Sequence, residues 1–291
     1  MTDLAEPTTR SEPPVSRVGD GVSKVVLITA ALQIIASLGM ILLLFLEWVK
    51  GGNIGLSGNG GGGFGILALI TALVALYAAA QAVRGKSSER SLIGANQMTM
   101  ILAIALFFSN LVFLWVFRTG GAPKWIYVTS NLVIYVSVVG LFASKPDTPE
   151  PLDDGEVRRI GVATVVLGAL IALAPALAYT ELGSRTLTGY EPGAPRIGIL
   201  LLLVGAATIY VGAQRIVGGA AHADMGPYVL WPHVNIALGI IATAPAFAWT
   251  VSGLWGNDFD PGYGVYVSLL FGFALTGLGF YEAAKRGARG I

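Results

Sequence analysis

The chain is constrained most by eight apolar runs, each long enough to cross the hydrocarbon core of a membrane as a helix. A crossing takes about 20 apolar residues in a helix, because every backbone hydrogen bond must then be made inside the segment. With 54% hydrophobic and only 12% charged residues, the composition favours an all-α integral membrane protein. The predicted spans are 25–48, 64–83, 98–117, 125–143, 160–179, 197–217, 229–251 and 263–284.

Basic residues predict the orientation of these spans. The tails and loops on one side, together with Arg215 at the adjoining end of the sixth span, account for 13 of the 18 Lys and Arg residues, and the loops on the other side hold the remaining five. Because Lys and Arg are retained on the cytoplasmic side, both termini are predicted to be cytoplasmic. We expect the protein in a bacterial cytoplasmic membrane, with the glycine-rich loop after the first span on the outside.

Two apolar stretches, 65–85 and 198–218, indicate an internal repeat. They are identical at eight of 21 aligned positions. Four spans in each half is an even number, so both halves enter the membrane in the same sense, as parallel repeats do. We therefore expect two parallel four-helix repeats. The matched residues include Tyr77 with Tyr210, Gln81 with Gln214, Glu47 with Glu181, and Phe113 and Trp115 with Phe247 and Trp249.

The repeat sets the expected domain boundaries. Proline and charge are concentrated at both ends of the first half, where they favour extended or disordered segments. The predicted segments are a disordered cytoplasmic tail at 1–23, the first membrane repeat at 24–143, a cytoplasmic linker at 144–159, the second membrane repeat at 160–286 and a cytoplasmic tail at 287–291.

Regularly spaced glycines predict a close contact between helices in the second half. Helices in lipid associate through small residues that let their backbones approach. A spacing of seven is nearly two helical turns, so each set lies on one side of its helix. The predicted packing residues are Gly161 and Gly168 on the fifth span and Gly198, Gly205 and Gly212 on the sixth.

No Asp, Glu, Lys or Arg lies at the centre of any predicted span. The polar residues within the spans are mainly amides, which form hydrogen bonds between helices and do not titrate. We expect such contacts from Gln33, Gln81, Gln214, Asn110 and Asn131. Glu47 and Glu181 are the repeat-related acids at the outer interface. They are interpreted either as symmetric contacts to a cation or partner or as solvated span ends.

The sequence offers no catalytic, cofactor or metal motif. It has no cysteine, and its two histidines match no ligand spacing. No nucleophile, base and orienting group can be assembled from the residues present. A net charge of +1 lacks the basic surface that binding to nucleic acid requires. We expect a non-enzymatic protein whose partners are the lipid bilayer and a membrane protein or a second copy of the chain.

The segment "YTELGSRTLTGYEPGAPRIGILLLLVGAAT" at 179–208 combines a Thr-Glu-Leu-Gly exit, a glycine-rich loop and a second apolar span. It resembles the first hairpin of the actinobacterial 34 kDa antigenic protein family of tetraspan membrane proteins. The chain would hold two such units in tandem, without the long low-complexity tail of that family. The resemblance implies an envelope component linked to growth and division, without enzymatic activity or catalytic residues.

Two functions remain open from the sequence. The first is a scaffold or accessory subunit of a cell-envelope complex, since the apolar helices carry no central charge. The second is a small-solute transporter or channel, because parallel repeats are one way to build a central site. The polar residues within the spans would have to converge on one cavity in the second case.

Overall fold

The structure is a computed structural model that describes residues 24–49, 53–54, 62–84, 93–116, 121–142, 150–191, 197–218, 229–255 and 259–287. Eight helices in these ranges are long and apolar enough to cross a membrane, so the chain is a multi-pass membrane protein. The predicted tail at 1–23 and residues 288–291 lie outside the described residues. The helices are α1 Lys24–Leu43, α2 Gly62–Val83, α3 Ala95–Val116, α4 Ala122–Phe142, α5 Asp154–Leu173, α6 Ile197–Gly218, α7 Trp231–Leu254 and α8 Tyr263–Lys285.

Helices α1 to α4 form a closed ring, called here the first bundle. Both α1 and α3 pack against α2 and α4. Helix α3 runs antiparallel to α4: Asn110, late in α3, donates to the carbonyl of Pro123 at the start of α4, at 2.7 Å. At the other end, Asn96 of α3 lies against Gly140 of α4. Neighbours in the ring therefore meet along their lengths, and their inner faces form a common core.

Helices α5 to α8 form a second ring, the second bundle, in which α5 and α7 both pack against α6 and α8. Helix α7 also packs against α2 and α3 and so joins the two bundles. Near the end of α7, Ser252 Oγ accepts a hydrogen bond from Gly63 N at 3.1 Å. Near its start, His233 Nδ1 lies 3.3 Å from Gln97 Nε2. The bundles are thus linked at both ends of α7.

The two ends of the molecule differ in chemistry. Odd-numbered helices begin, and even-numbered helices finish, at the end that carries Arg84, Arg158, Arg159 and Lys285, called here the basic end. Within the described ranges, five short strands lie at the opposite end, called here the strand end. There Trp48, just beyond α1, packs against Phe113 of α3 at a ring distance of 5.6 Å.

The strands correct the predicted spans 25–48 and 160–179, which are too long at the strand end. The Leu43 carbonyl at the end of α1 accepts hydrogen bonds from Trp48 Nε1 at 2.9 Å and from Leu46 N at 3.3 Å, so the chain turns away from the helix axis there. Helix α5 ends in a 3₁₀ turn that contains Pro175, which lacks the N–H that a continuing helix needs. The strands are β1 Glu47–Val49, β2 Asn53–Ile54, β3 Ala178–Leu182, β4 Arg185–Thr188 and β5 Asp260–Pro261, paired β1 with β2 and β4-β3-β5, all antiparallel.

The predicted linker 144–159 is also corrected, because α5 begins inside it at Asp154. The side chain of Asp153 accepts a hydrogen bond from Glu156 N at 2.9 Å and caps the helix. Acidic Asp154 and Glu156 in the first turn complement the positive end of the helix dipole. Short-range capping therefore extends α5 beyond its apolar part, and residues 143–149 lie outside the described residues.

Candidate functional site: a buried polar cluster in the second bundle

A buried ion pair joins the last turn of α6 to the last turn of α8. Arg215 Nη1 donates to Glu282 Oε2 at 2.9 Å, and Arg215 Nη2 donates to Glu282 Oε1. Both side chains are only 1% exposed. A two-fold contact of this kind is the strongest geometry available to an arginine and a carboxylate. The pair lies at the basic end, inside the protein rather than in the surrounding solvent.

Close helix packing brings Arg215 to this position. A Cβ atom added to Gly161 of α5 would lie 3.0 Å from the carbonyl oxygen of Gly212 and 3.2 Å from Arg215 Cβ. On the opposite side of the bundle, Gly279 of α8 lies against the carbonyl oxygen of Pro232 at the start of α7. Glycines therefore let α6, which carries Arg215, pack closely on α5, and let α8, which carries Glu282, pack closely on α7.

The other two helices of the bundle add a second polar contact. Asn235 Nδ2 of α7 donates to Thr164 Oγ1 of α5 at 3.4 Å, and Thr164 donates to the Ile160 carbonyl at 2.8 Å. Asn235 and Thr164 are both fully buried. Arg215 Nε and Asn235 Oδ1 are buried without a hydrogen-bond partner among the described residues. We name Thr164, Arg215, Asn235 and Glu282 the polar cluster, to which each helix contributes one member.

A second set of contacts ties α5 to α8 nearer the solvent. Lys285 Nζ lies 2.7 Å from Glu156 Oε1, and the Tyr281 hydroxyl donates to the same oxygen at 3.1 Å. Beyond the end of α8, Arg286 Nε donates to the Glu150 carbonyl at 3.2 Å, while Glu150 N donates to the Arg286 carbonyl at 3.0 Å. These two hydrogen bonds hold Glu150, which precedes α5, against the end of α8.

The chemistry of the cluster is that of a structural contact. The guanidinium group of arginine has hydrogen-bond donors and no acceptor, so Arg215 can only donate here. Both oxygens of Glu282 accept from Arg215, which leaves the carboxylate paired. Among the described residues, no group of three or more His, Asp and Glu side chains is placed to hold a metal ion. The arrangement therefore fixes the positions of α6 and α8.

The structure places four of the five predicted packing glycines between α5 and α6. Cβ atoms added to Gly205 and Gly212 would each lie 2.6 Å from the carbonyl oxygens of Gly168 and Gly161, respectively. Gly198 lies elsewhere, where an added Cβ would be 2.7 Å from the Gly189 carbonyl oxygen beyond β4. The two helix backbones are thus in direct contact at two levels.

The predicted amides occupy separate places. Gln33 is buried in the first bundle, whereas Asn110 bonds to Pro123 nearer the strand end. Asn131 Nδ2 donates to the Tyr127 carbonyl of its own helix at 2.8 Å. Gln81 and Gln214 are half-buried near the basic end, one in each bundle. These five residues are not brought together at one point.

The two acids predicted at the outer interface lie in strands at the strand end. Glu47 in β1 faces Ile54 of β2 across the hairpin. Glu181 in β3 lies between Thr186 of β4 and Asp260 of β5. Both glutamates are exposed.

The sequence prediction did not include the polar cluster. Arg215 was counted only as a basic residue on the cytoplasmic side, and its partner lies 67 positions further along the chain. A usable signal was present in the two aligned stretches: after the matched Gln81 and Gln214, 65–85 has Ala82 where 198–218 has Arg215. An arginine within an apolar span requires a partner.

Comparisons with protein-family models, with curated proteins and with solved structures find no match to this chain.

Proposed function

We propose that the protein is a non-enzymatic scaffold or accessory subunit of a cell-envelope complex in a bacterial cytoplasmic membrane. The observation that carries this proposal is the closed ion pair of Arg215 and Glu282. Each side chain of this pair is 1% exposed and bound to the other, so neither charge is presented to a substrate. Its role is to hold helices in place, as a scaffold requires.

The proposal includes two parallel four-helix repeats with both termini in the cytoplasm. In support, each half forms a ring with the same order of contacts, and α3 packs against its counterpart α7. Residues 126–142 also align without gaps with residues 265–281, matching Tyr127 with Tyr266 and Gly140 with Gly279. In this alignment Glu282 corresponds to Ala143. The ion pair would then belong to the second repeat alone.

The proposed partners are the lipid bilayer and a membrane protein or a second copy of this chain. Helices α1 and α4 support this, since large apolar side chains on their outer faces are exposed. Those faces suit lipid tails and the helices of a partner equally. The resemblance to tetraspan antigenic proteins stays a prediction, and the growth and division role is proposed on that basis.

Purification in a mild detergent tests the proposed role. The full chain is expected to bring one membrane protein, or a second copy of itself, in constant stoichiometry, as measured by mass spectrometry and native mass. The control is the same chain with Gly205→Leu, which would disrupt the second bundle. Recovery of the native chain as a monomer without any stoichiometric partner, after crosslinking in cells, would contradict the scaffold role.

The transporter alternative receives less support from the positions of the polar side chains. A central site would bring Gln33, Asn110, Gln81 and Gln214 toward one cavity. They are instead distributed between two bundles and between both ends of the molecule. This distribution favours local roles in helix packing over a shared path for solute.

A further inference from the structure

Gln33 is a long polar side chain near the midpoint of α1, and it is 2% exposed. Its Nε2 atom has no hydrogen-bond partner among the described residues. An amide buried in an apolar environment without a partner costs free energy, and hydrocarbon supplies no water to pair with it. The buried donor therefore calls for an acceptor inside the first bundle.

Ser137 of α4 lies close to the level of Gln33. A Cβ atom on Gly39 of α1 would be 3.8 Å from Thr129 Cγ2 of α4, which fixes the register of these antiparallel helices. Gln33 precedes Gly39 by six residues. Because the helices are antiparallel, Gln33 is therefore level with position 135, six residues after Thr129. Ser137 lies two residues beyond that level, about 3 Å along the axis. Its Oγ atom is 1% exposed and also has no partner among the described residues.

Several of the buried side chains that α1 and α2 contribute to the first bundle are small. Between residues 68 and 79 the buried face of α2 consists of alanine with one threonine, and Ala36 and Ser37 follow Gln33 on α1. Within the described part of the first bundle, the buried polar residues are uncharged. An ion held there would lack a compensating charge in a low-dielectric region, so the chemistry excludes a charged guest. The small residues are Ala68, Thr71, Ala72, Ala75, Ala78 and Ala79.

We propose that the first bundle binds a small uncharged molecule between Gln33 Nε2 and Ser137 Oγ, with water as the smallest guest that fits. The guest accepts a hydrogen bond from the amide and exchanges one with the hydroxyl, as a buried water with two or more polar partners does. The second bundle has Leu167 and Thr276 at the aligned positions, and Thr276 Oγ1 already donates to the Gly272 carbonyl at 2.9 Å. The site is therefore specific to the first bundle.

Nuclear magnetic resonance of the full chain, with its four glutamines labelled with ¹⁵N in the side-chain amide, tests this site with water as the probe. The amide protons of Gln33 are expected to show a cross peak to the water resonance with the sign of a long-lived bound water. The peak is assigned by its loss in Gln33→Leu. Gln81 and Gln214 are half-buried and serve as the positive control, because their amide protons should show cross peaks to water if the experiment can detect such peaks in this sample.

A pair of serine variants on α4 supplies the matched control. Ser137→Ala removes one partner of the guest and is expected to reduce the Gln33 water peak at least several-fold. Ser130→Ala makes the same change on the same helix, where Ser130 Oγ donates to the Tyr127 carbonyl at 3.0 Å, and should leave the peak unchanged. A Gln33 amide without a water peak in the native chain, while Gln81 or Gln214 shows one, would overturn the proposal. An equal reduction of the Gln33 water peak in Ser137→Ala and Ser130→Ala would also overturn the proposal.

Discussion

At the scale of single residues, the contact between Arg215 and Glu282 depends on both partners being present. Two charges taken from water stabilise each other at short range, but either one alone is an uncompensated buried charge. In the proposed alignment of the two halves, Ala82 and Ala143 correspond to Arg215 and Glu282. On that alignment, an uncharged pair is expected to be tolerated at these positions.

We expect Arg215→Ala and Glu282→Ala to lower the free energy of unfolding by about 3–5 kcal/mol each, because each leaves a buried charge unpaired. The double variant should lose less than either single variant, because it leaves no buried charge unpaired. Thermal unfolding in detergent measures all three. Arg84→Ala, at an exposed arginine at the end of α2, is the control and should have little effect. Additive losses would show that the two side chains do not depend on each other.

At the scale of helices, hydropathy predicted which segments cross the membrane but not where several of them end. Apolar content alone placed Trp48 inside a span, whereas its indole N–H closes the end of α1. Charge at Asp153 and Asp154 favours a solvated linker, whereas in the structure Asp153 caps α5 and Asp154 is its first residue. Burial of Arg215 was unpredictable from its own neighbours, since it depends on a residue of α8. Local composition thus predicted the helices. The contact between Arg215 and Glu282 depends on residues far apart in the sequence, so local composition could not predict it.

The contact between α5 and α6 should be sensitive to a single methyl group. Gly205→Ala places a Cβ atom 2.6 Å from the Gly168 carbonyl oxygen, so the backbones have to separate. Overpacking of this kind costs about 1–3 kcal/mol, which thermal unfolding in detergent will measure. Gly277→Ala on α8 is the matched control, because an added Cβ there meets nothing within 4 Å. Equal stability of the two variants would contradict the direct backbone contact.

At the scale of the whole molecule, the basic end and the strand end give the protein a direction across the membrane. Arg158 lies at the start of α5 and Ser184 in the turn between β3 and β4, and both are exposed. Only one helix separates these two residues, so they lie at opposite ends. Because basic residues are retained in the cytoplasm, the strand end is expected outside.

Labelling with a membrane-impermeant thiol reagent on intact cells tests this orientation. Ser184→Cys should react from outside, whereas Arg158→Cys should react only after the cells are opened. The native chain contains no cysteine, so it supplies a background of zero. Reaction of Arg158→Cys in intact cells, with Ser184→Cys protected, would reverse the proposed orientation.

The two links along α7 have a mechanical consequence. Ser252 holds Gly63 at the strand end, and His233 meets Gln97 at the basic end. If the bundles rotated apart at one end of α7, they would have to move closer together at the other end. At Gly63 the bundles are already in close contact, because an added Cβ atom there would lie 1.9 Å from the Ala248 carbonyl oxygen. Rotating one bundle against the other about α7 would therefore require breaking the contact at Gly63 or the one at Gln97.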